Sequence, residues 1–534
     1  MKNKTLIVVI LAIVAGGYFI SGDLFNIPFA TNSNGLNEAQ AAKVIELKNG
    51  DTYDVTASIV RKTIAGNELR MLAYNGSIPG PIITVPKGAE ITINFTNNTD
   101  VPTTVHSHGV RLDNAFDGVP DVTQKEVGVG QSFSYKIKFP DEGVYWYHPH
   151  IREDYAQELG LYGNYIVASD NPNYWSPVNE EVPLMVDDIL IENGKSAPFG
   201  PVAGHALMGR FGNVMLVNGS DDYSLNVTQG EVVRFYISNT ANTRVFNLTI
   251  PGAKIKLVGG DNGKYERETF VDSVLLAPSE RAVIEVLFDA AGTYTLQHKT
   301  PEKTYTMVTL HVSAGKAAVS YKSQFLTLRT NNDTIASIDP FRAYFNKKDD
   351  KSIVLTVDMG SMGMSGSHQM PNGQMMNNGG GHMMPDGMWM GNGGMRMGGN
   401  DNEKIEWEDS MAMMNSMADA NSIKWKIVDQ ETKKANGNID WVFKVGDKVK
   451  IKIYNDPNSL HPMQHPIHFH GQRFLILSTN GVKNTNMVWK DTTLVQKGDT
   501  VEILVAMENP GMWMAHCHIA EHLESGMMFS FKAE

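Results

Sequence analysis

The sequence predicts an all-β protein of three Greek-key β-sandwich domains, because two strand patterns each occur three times along its 534 residues. The first is a glycine, a nearby acidic residue, an alternating strand and an asparagine, in KGAEITINFTN (87–97), QGEVVRFYISN (229–239) and VGDKVKIKIYN (445–455). The second is an alternating strand, a glycine turn and another strand, with copies that end at residues 150, 298 and 518. Such repeats are typical of β-sandwiches and not of βαβ units.

The alternation within each copy indicates which faces are buried. In the first copy Ile91, Ile93 and Phe95 fall on one side, and the residues between them are polar. A period of two is typical of a half-buried strand in a sheet with one solvated face. From these repeats we expect three domains, over residues 44–170, 171–318 and 319–534.

Residues 1–43 are predicted to be a targeting segment followed by a linker. Two lysines in MKNKT precede the apolar run LIVVILAIVAGGYFI (6–20). This run suits the core of a signal peptide and is short for a membrane-spanning helix. An uncleaved membrane anchor is the alternative. In either case we expect an exported protein, periplasmic or otherwise extracytoplasmic.

Composition narrows the function further. The formal net charge is -12 and no basic block occurs, which argues against a nucleic-acid partner. Cys517 is the only cysteine, so no disulfide can form within one chain. Ten of the 16 histidines lie in four clusters, all in the first and third predicted domains. The middle domain has Gln297 where the aligned copies have His148 and His516, so we expect it to be a metal-free spacer.

The tripeptide HCH places Cys517 between His516 and His518. Successive side chains on a strand point to opposite faces, so the two histidines face one way and the cysteine the other. His468 and His470 share a face in the same manner. One strand can therefore contribute ligands to two sites.

Sorting by face leaves two sets of candidate ligands. The first set combines two histidines and a thiolate with a thioether, which is typical of a blue copper centre: His465, Cys517, His522 and Met527. The second set has eight imidazoles, which suit several clustered copper ions: His106, His108, His148, His150, His468, His470, His516 and His518. Zinc would accept cysteine and histidine, but eight further histidines without a carboxylate cluster fit it poorly.

Four motifs, HSHG, WYHPH, HPIHFHG and HCHIAEHLESGM, resemble the copper motifs of the multicopper oxidases, the laccase-like family. The resemblance runs from about residue 44 to the C-terminus. It implies three cupredoxin domains, four copper ions and dioxygen as electron acceptor. By motif position, it implies a type 1 copper at His465, Cys517, His522 and Met527, a type 2 copper at His106 and His468, and a type 3 pair at His108, His148, His150, His470, His516 and His518. Cys517 would then pass electrons to the cluster through His516 and His518.

Asp117 in AFDGVP matches an acidic residue that the family has near its cluster. A carboxylate there can relay protons or orient a copper-bound water. The alternative is a turn aspartate before Gly118. Many bacterial members carry glutamate directly after the last type 1 histidine, whereas this sequence has Leu523 there and Glu524 next. On an extended strand Glu524 would face away, which argues against a relay role for it.

Residues 359–417 form a methionine-rich insert that contains sixteen of the 29 methionines. Thioethers favour Cu(I), although a disordered linker is the simpler interpretation of this composition. Part of the insert can form a short helix with Met413, Met414 and Met417 along one side, for copper handling or for simple packing. The insert resembles that of the cuprous oxidases in the copper-tolerance branch.

The resemblance to that branch suggests a site for a substrate copper ion. Met463 matches a methionine of the branch, and further candidates are His461, Asp358 and Met359. We therefore expect an enzyme that oxidises Cu(I) to Cu(II) with dioxygen in copper tolerance. The alternatives are a laccase-type oxidase of phenols, a ferroxidase and a copper-sequestering protein, while the full set of histidines disfavours a copper nitrite reductase.

Overall fold

A computed structural model describes residues 32–359 and 403–534, together with two short strands at 382–383 and 389–390. The described residues form paired β-sheets, as the sequence predicts. Neighbouring strands in a sheet are often not consecutive in the chain, which is typical of Greek-key connections. The exact domain limits stay predictions, so the sheets are grouped below as first, second and third regions.

The first region packs a five-stranded sheet, β1-β4-β9-β8-β6, against a four-stranded sheet, β3-β2-β5-β7. Ile91, Ile93 and Phe95 of β5 are buried between them, as their alternation predicts. The strands of this region are β1 (Val44–Glu46), β2 (Thr52–Ile64), β3 (Asn67–Tyr74), β4 (Ile82–Pro86), β5 (Glu90–Asn98), β6 (His106–His108), β7 (Ser132–Lys138), β8 (Gly143–His148) and β9 (Gly163–Ala168).

The second region packs a six-stranded sheet, β13-β10-β15-β20-β17-β18, against a five-stranded sheet, β14-β22-β21-β16-β19, and adds the hairpin β11-β12. Its strands are β10 (Glu180–Ile189), β11 (Ile191–Glu192), β12 (Lys195–Ser196), β13 (Val214–Val217), β14 (Ser224–Thr228), β15 (Val232–Asn239), β16 (Phe246–Thr249), β17 (Lys254–Gly260), β18 (Gly263–Val271), β19 (Val274–Leu276), β20 (Arg281–Leu287), β21 (Gly292–Lys299) and β22 (Thr304–Ser313).

The third region repeats this architecture with the sheets β26-β23-β28-β33-β30-β31 and β27-β35-β34-β29-β32, and β24 pairs with β25 separately. Its strands are β23 (Lys351–Asp358), β24 (His382–Met383), β25 (Trp389–Met390), β26 (Lys424–Asp429), β27 (Trp441–Phe443), β28 (Lys448–Asn455), β29 (His465–Phe469), β30 (Arg473–Thr479), β31 (Val482–Lys483), β32 (Thr492–Val495), β33 (Thr500–Ala506), β34 (Gly511–Cys517) and β35 (Met528–Ala533).

Helices in the described part of the chain are short. The α-helices are α1 (Glu153–Ala156), α2 (Lys322–Leu326), α3 (Asn332–Ile338), α4 (Ala412–Met417) and α5 (Ala520–Glu524), and 3-10 turns occur at Asn114–Phe116, Asp339–Tyr344 and Asn436–Asn438. Helix α4 lies in the insert, where the sequence allows one. Met413 and Met417 are 64% and 72% exposed, whereas Met414 packs against the core of the third region. The three methionines therefore do not share one environment.

Two predicted segments lie outside the described residues, namely the targeting segment up to residue 31 and most of the insert, residues 360–402 apart from the short strands at 382–383 and 389–390. Among the helices of the described residues, none has the length and apolar character needed to cross a membrane.

Candidate metal centres

Strand pairing brings the predicted ligands together. In the first region β6 pairs with β8, and His106 lies opposite His148. In the third region β29 pairs with β34, and His468 lies opposite His516. Because side chains alternate along β34, Cys517 points to the other face of this sheet.

The eight histidines of the second set meet between the first and third regions, where all are buried. His108 stacks on His468 with ring centroids 3.8 Å apart, and Nε2 of His470 lies 3.0 Å from Nε2 of His516. Three groups have ligand atoms within 4.8 Å of one another: His106, His108 and His468; His108, His148 and His518; and His150, His470 and His516. Two distant parts of the chain therefore meet at this histidine set.

The first set forms a separate, compact group. Sγ of Cys517 lies 3.5 Å from Nδ1 of His465 and 3.8 Å from Nδ1 of His522. The two Nδ1 atoms are 3.3 Å apart. Met527 is fully buried in the same core, and its carbonyl oxygen accepts a hydrogen bond from the Cys517 amide at 3.1 Å.

Hydrogen bonds fix the orientation of most rings in the eight-histidine set. Nδ1 of His106 donates to the Asp117 carbonyl at 2.7 Å, and Nδ1 of His468 donates to the Asp491 carbonyl at 2.8 Å. His148 and His516 make equivalent bonds to backbone carbonyls. Such bonds select the tautomer that leaves Nε2 free as a ligand. Nε2 is buried without a protein partner in His106, His148, His150, His468 and His518.

His108 is oriented the other way. Its Nε2 donates to Oδ1 of Asp491 at 3.0 Å and lies 3.2 Å from Oγ1 of Thr492. Its Nδ1 is the buried nitrogen without a protein partner. This ring therefore offers Nδ1, whereas the rings oriented by backbone carbonyls offer Nε2.

Burial controls the protonation of both sets. Desolvation lowers the pKa of His465 to about 3 and that of His516 to about 4, and it holds the pKa of His522 well below its usual value. These rings are neutral near pH 7, as metal ligands must be. Burial raises the pKa of the Cys517 thiol, so its thiolate depends on a cation in the same site. Neutral imidazoles, one thiolate and a thioether form a donor set that fits copper.

Asp117 contacts two of the histidines. It is fully buried, with Oδ2 2.9 Å from Nδ1 of His470 and Oδ1 3.3 Å from Nδ1 of His106. Its amide also closes the turn by donating to the Asn114 carbonyl at 3.2 Å. The structure thus combines the turn position with contact to the histidine set.

The expectation of an extended strand at Glu524 is wrong, because the residue ends helix α5. Its Oε1 accepts from the Glu153 amide at 3.1 Å, while Leu523 joins a small apolar cluster. Sequence reasoning missed Glu153, which is fully buried with Oε1 3.4 Å from Nδ1 of His150. The available signal was a pair of acidic residues, Glu153 and Asp154, that begins three positions after His150.

The four candidates for a substrate copper ion are divided. Met463 and Met359 are buried in the core that contains Cys517, and His461 is buried with Nε2 unpartnered. Asp358 is exposed and pairs with Nζ of Lys426 at 2.8 Å. Three of the candidates are therefore buried, and Asp358 is exposed.

Trp425 is a further residue that the sequence did not single out. Its ring stacks on His522 with centroids 4.0 Å apart and lies 4.9 Å from the His465 ring. Nε1 of Trp425 donates to the Ala206 carbonyl at 2.7 Å, which fixes the indole under a segment of the second region. In the alternating strand β26 it looked like an ordinary core residue.

Comparison with known proteins agrees with this geometry. Family models described as multicopper oxidase match residues 56–172, 173–316 and 406–534. The chain belongs to the multicopper oxidase family. This multicopper oxidase is accordingly an oxidoreductase with copper cofactors.

Several relatives match nearly the whole length of this multicopper oxidase. Multicopper oxidase mco of Staphylococcus aureus is 24% identical over 94% of this chain and 93% of its own. Copper resistance protein A of Escherichia coli is 23% identical over 91% and 93%. Among solved structures, McoA of Aquifex aeolicus aligns with a TM-score of 0.67 at 23% identity over 93% of this chain and 99% of its own. The multicopper oxidase from Campylobacter jejuni, described as a metallo-oxidase, aligns with a TM-score of 0.65 at 21% identity, over 94% and 99%. The structural likeness supports the all-β fold.

Proposed function

We propose that this multicopper oxidase oxidises Cu(I) to Cu(II) with dioxygen and acts in copper tolerance. The type 1 copper would be held by His465, Cys517, His522 and Met527, the type 2 copper by His106 and His468, and the type 3 pair by His108, His148, His150, His470, His516 and His518. Copper in these sites would supply one-electron transfer from the reductant and the four-electron reduction of dioxygen to water.

Cys517 links the two groups of ligands. It is covalently flanked by His516 and His518, and its carbonyl oxygen accepts a hydrogen bond from Nδ1 of His516 at 2.8 Å. The thiol side and the cluster side of β34 are therefore joined through one residue. A path this short favours electron transfer from the type 1 site.

Asp117 serves the cluster side. Its backbone carbonyl accepts from Nδ1 of His106 and its Oδ2 lies 2.9 Å from Nδ1 of His470, so it orients both rings. Reduction of dioxygen to water also consumes protons. A buried carboxylate at this position suits proton delivery or the orientation of a bound water.

The arrangement of Trp425 favours a small reductant. Its indole stacks on His522, and both type 1 histidines are at most 1% exposed. A phenol needs contact with the edge of such a ring, whereas a metal ion can approach through individual donor atoms. His461, whose ring centroid is 6.3 Å from that of Trp425, is a suitable donor on this path.

Exposed thioethers lie on helix α4, which contacts the segment that holds Trp425 in place. Asn415 of α4 accepts a hydrogen bond from the Met208 amide at 3.0 Å, and Ala206 in the same segment binds Trp425. Met413 and Met417 project from this helix and are mostly exposed. Soft donors placed here are suited to capture Cu(I). The relatives named copper resistance protein A also support a role in copper tolerance.

The test is oxygen uptake with Cu(I), Fe(II) and a phenol measured side by side. We expect Cu(I) to support the fastest turnover. Faster uptake with the phenol would favour the laccase alternative, and faster uptake with Fe(II) would favour a ferroxidase. Copper binding without oxygen uptake from any reductant would indicate a sequestering protein.

A double variant, Met413→Leu with Met417→Leu, tests the thioethers. We expect slower Cu(I) oxidation at limiting copper and unchanged phenol oxidation, because leucine keeps the bulk and removes the sulfur. Met512→Leu is the matched control, since Met512 is 40% exposed on β34 and its amide donates to Oδ1 of Asn114 in the first region. Equal effects of the control and the double variant would contradict the proposed capture site.

A further inference from the structure

Arg281 connects the second region to the histidine set through Asp491. It begins β20 and is fully buried. Nη1 donates to Oδ1 of Asp491 at 2.7 Å and Nη2 donates to Oδ2 at 2.5 Å. A bidentate guanidinium–carboxylate pair fixes both the position and the rotation of the carboxylate.

Asp491 contacts two members of the set. Its side chain accepts from Nε2 of His108 at 3.0 Å, and its carbonyl accepts from Nδ1 of His468 at 2.8 Å. The side-chain contact makes Nε2 the protonated nitrogen of His108 and leaves Nδ1 for a metal. The contact with Asp491 therefore explains why His108 offers Nδ1, whereas the rings oriented by backbone carbonyls offer Nε2.

Arg281 also contacts the first region. Its Nε donates to the carbonyl of Val144 in β8 at 2.8 Å, and its amide donates to Oδ1 of Asp261 at 2.8 Å. All three regions thus meet at one guanidinium. A charged pair in such a buried place is expensive to desolvate, so it needs its partners in this geometry.

Gly109 packs directly against this ion pair. Gly109, the glycine of HSHG, has φ +79°, and a Cβ there would lie 2.3 Å from Oδ2 of Asp491 and 2.8 Å from Nη2 of Arg281. Any side chain at this position would push the carboxylate away from His108. The glycine of the motif is thereby explained by the ion pair.

We propose that Arg281 is a positioning residue for the copper cluster, acting through Asp491 to hold His108 with Nδ1 directed at its neighbouring histidines. This inference rests on the ligand assignment of the proposed function. It gives the second region, which the sequence predicts to be a spacer, a part in assembling the cluster.

Arg281→Gln tests the inference, with Arg234→Gln as the matched control. Arg234 makes an equally buried pair with Glu285 in the second region, at 2.7 Å between Nη2 and Oε1. Both variants lose a buried charge pair, but only the first disturbs His108. The measurements are copper content, the type 2 electron paramagnetic resonance signal, the type 3 near-ultraviolet absorption, the type 1 blue absorption and Tm.

We expect Arg281→Gln to keep the blue absorption and to bind cluster copper about 10–100-fold more weakly, in line with the loss of an outer-shell partner. Arg234→Gln should have a lower Tm and a normal content of cluster copper. Normal cluster copper and a wild-type type 3 near-ultraviolet absorption in Arg281→Gln would overturn the inference. If Arg281→Gln does not fold, Arg281→Lys decides: lysine keeps the charge without the two parallel donors, so an altered type 3 absorption supports the inference and a wild-type absorption overturns it. A wild-type protein without blue colour or cluster copper would instead refute the proposed function.

Discussion

The two candidate copper sets differ in where their residues originate. The proposed type 1 set lies within residues 465–527, and Trp425, whose ring stacks on His522, belongs to the same region. The eight-histidine set combines the first and third regions and is oriented through Arg281 of the second. A set from one region depends on local packing, whereas a set shared by regions depends on their mutual placement. Changes to the first should therefore stay local, and changes to the second should extend across the molecule.

Among these variants, we expect Cys517→Ser to have the largest effect on activity. We expect loss of the blue absorption and of oxygen uptake with every reductant, because serine cannot supply thiolate charge transfer. Copper in the eight-histidine set should remain, since its ligands lie on the opposite face of β34. The check is visible absorption with copper analysis, and a blue variant would refute the assignment because the chain has no other thiol.

Asp117→Asn tests the eight-histidine set, which the first and third regions share. We expect dioxygen reduction to slow by about 100-fold, because an amide cannot accept and return a proton as a carboxylate does. Reduction of the type 1 site by substrate should be unaffected. Single-turnover kinetics separate the two steps.

Asp113→Asn is the matched control for this change. Asp113 caps the same turn by accepting from the Ala115 amide at 3.0 Å, but it is exposed and contacts no histidine. If both variants slow both steps alike, Asp117 has only a turn role.

Trp425→Leu should have the smallest effect on turnover. It tests whether a change beside the proposed type 1 set stays local. We expect phenol oxidation to rise several-fold, because a smaller side chain uncovers His522, with little change in Cu(I) oxidation. The free energy of unfolding should fall by roughly 2–4 kcal/mol, as for other large-to-small core changes. Trp441→Leu, in the same core, controls for that loss. A parallel rise in phenol oxidation in the control would attribute the effect to general loosening.

Sequence periodicity predicted the all-β fold, and it separated the ligand candidates of HCH and HPIHFH into two sets. The reason is physical: a period of two fixes which face each side chain occupies, so HCH and HPIHFH could be sorted by face. The family and the all-β fold are confirmed, while the ligand roles and domain limits stay predictions. Local spacing carries this information without any knowledge of the tertiary structure.

The sequence did not predict the long-range contacts. Asp491 and Arg281 are 210 residues apart, and nothing in either segment marks the pair. Trp425 resembled any core residue of an alternating strand. Glu524 was placed on a strand, but the segment after His518 turns into α5. These misses share one cause, since each depends on which distant element packs alongside.

The Asp491–His108 contact has a consequence for the order of folding. The two residues are separated by 383 positions, so the bond closes only after nearly all of the chain has been made and the first and third regions have docked. Copper that arrives earlier meets an incomplete group of ligands. Metal binding adds to folding free energy only where the full site exists. Under the proposed ligand assignment, loading of the eight-histidine set would therefore be a late event, and the ions would stabilise the docked arrangement of the regions more than any single region.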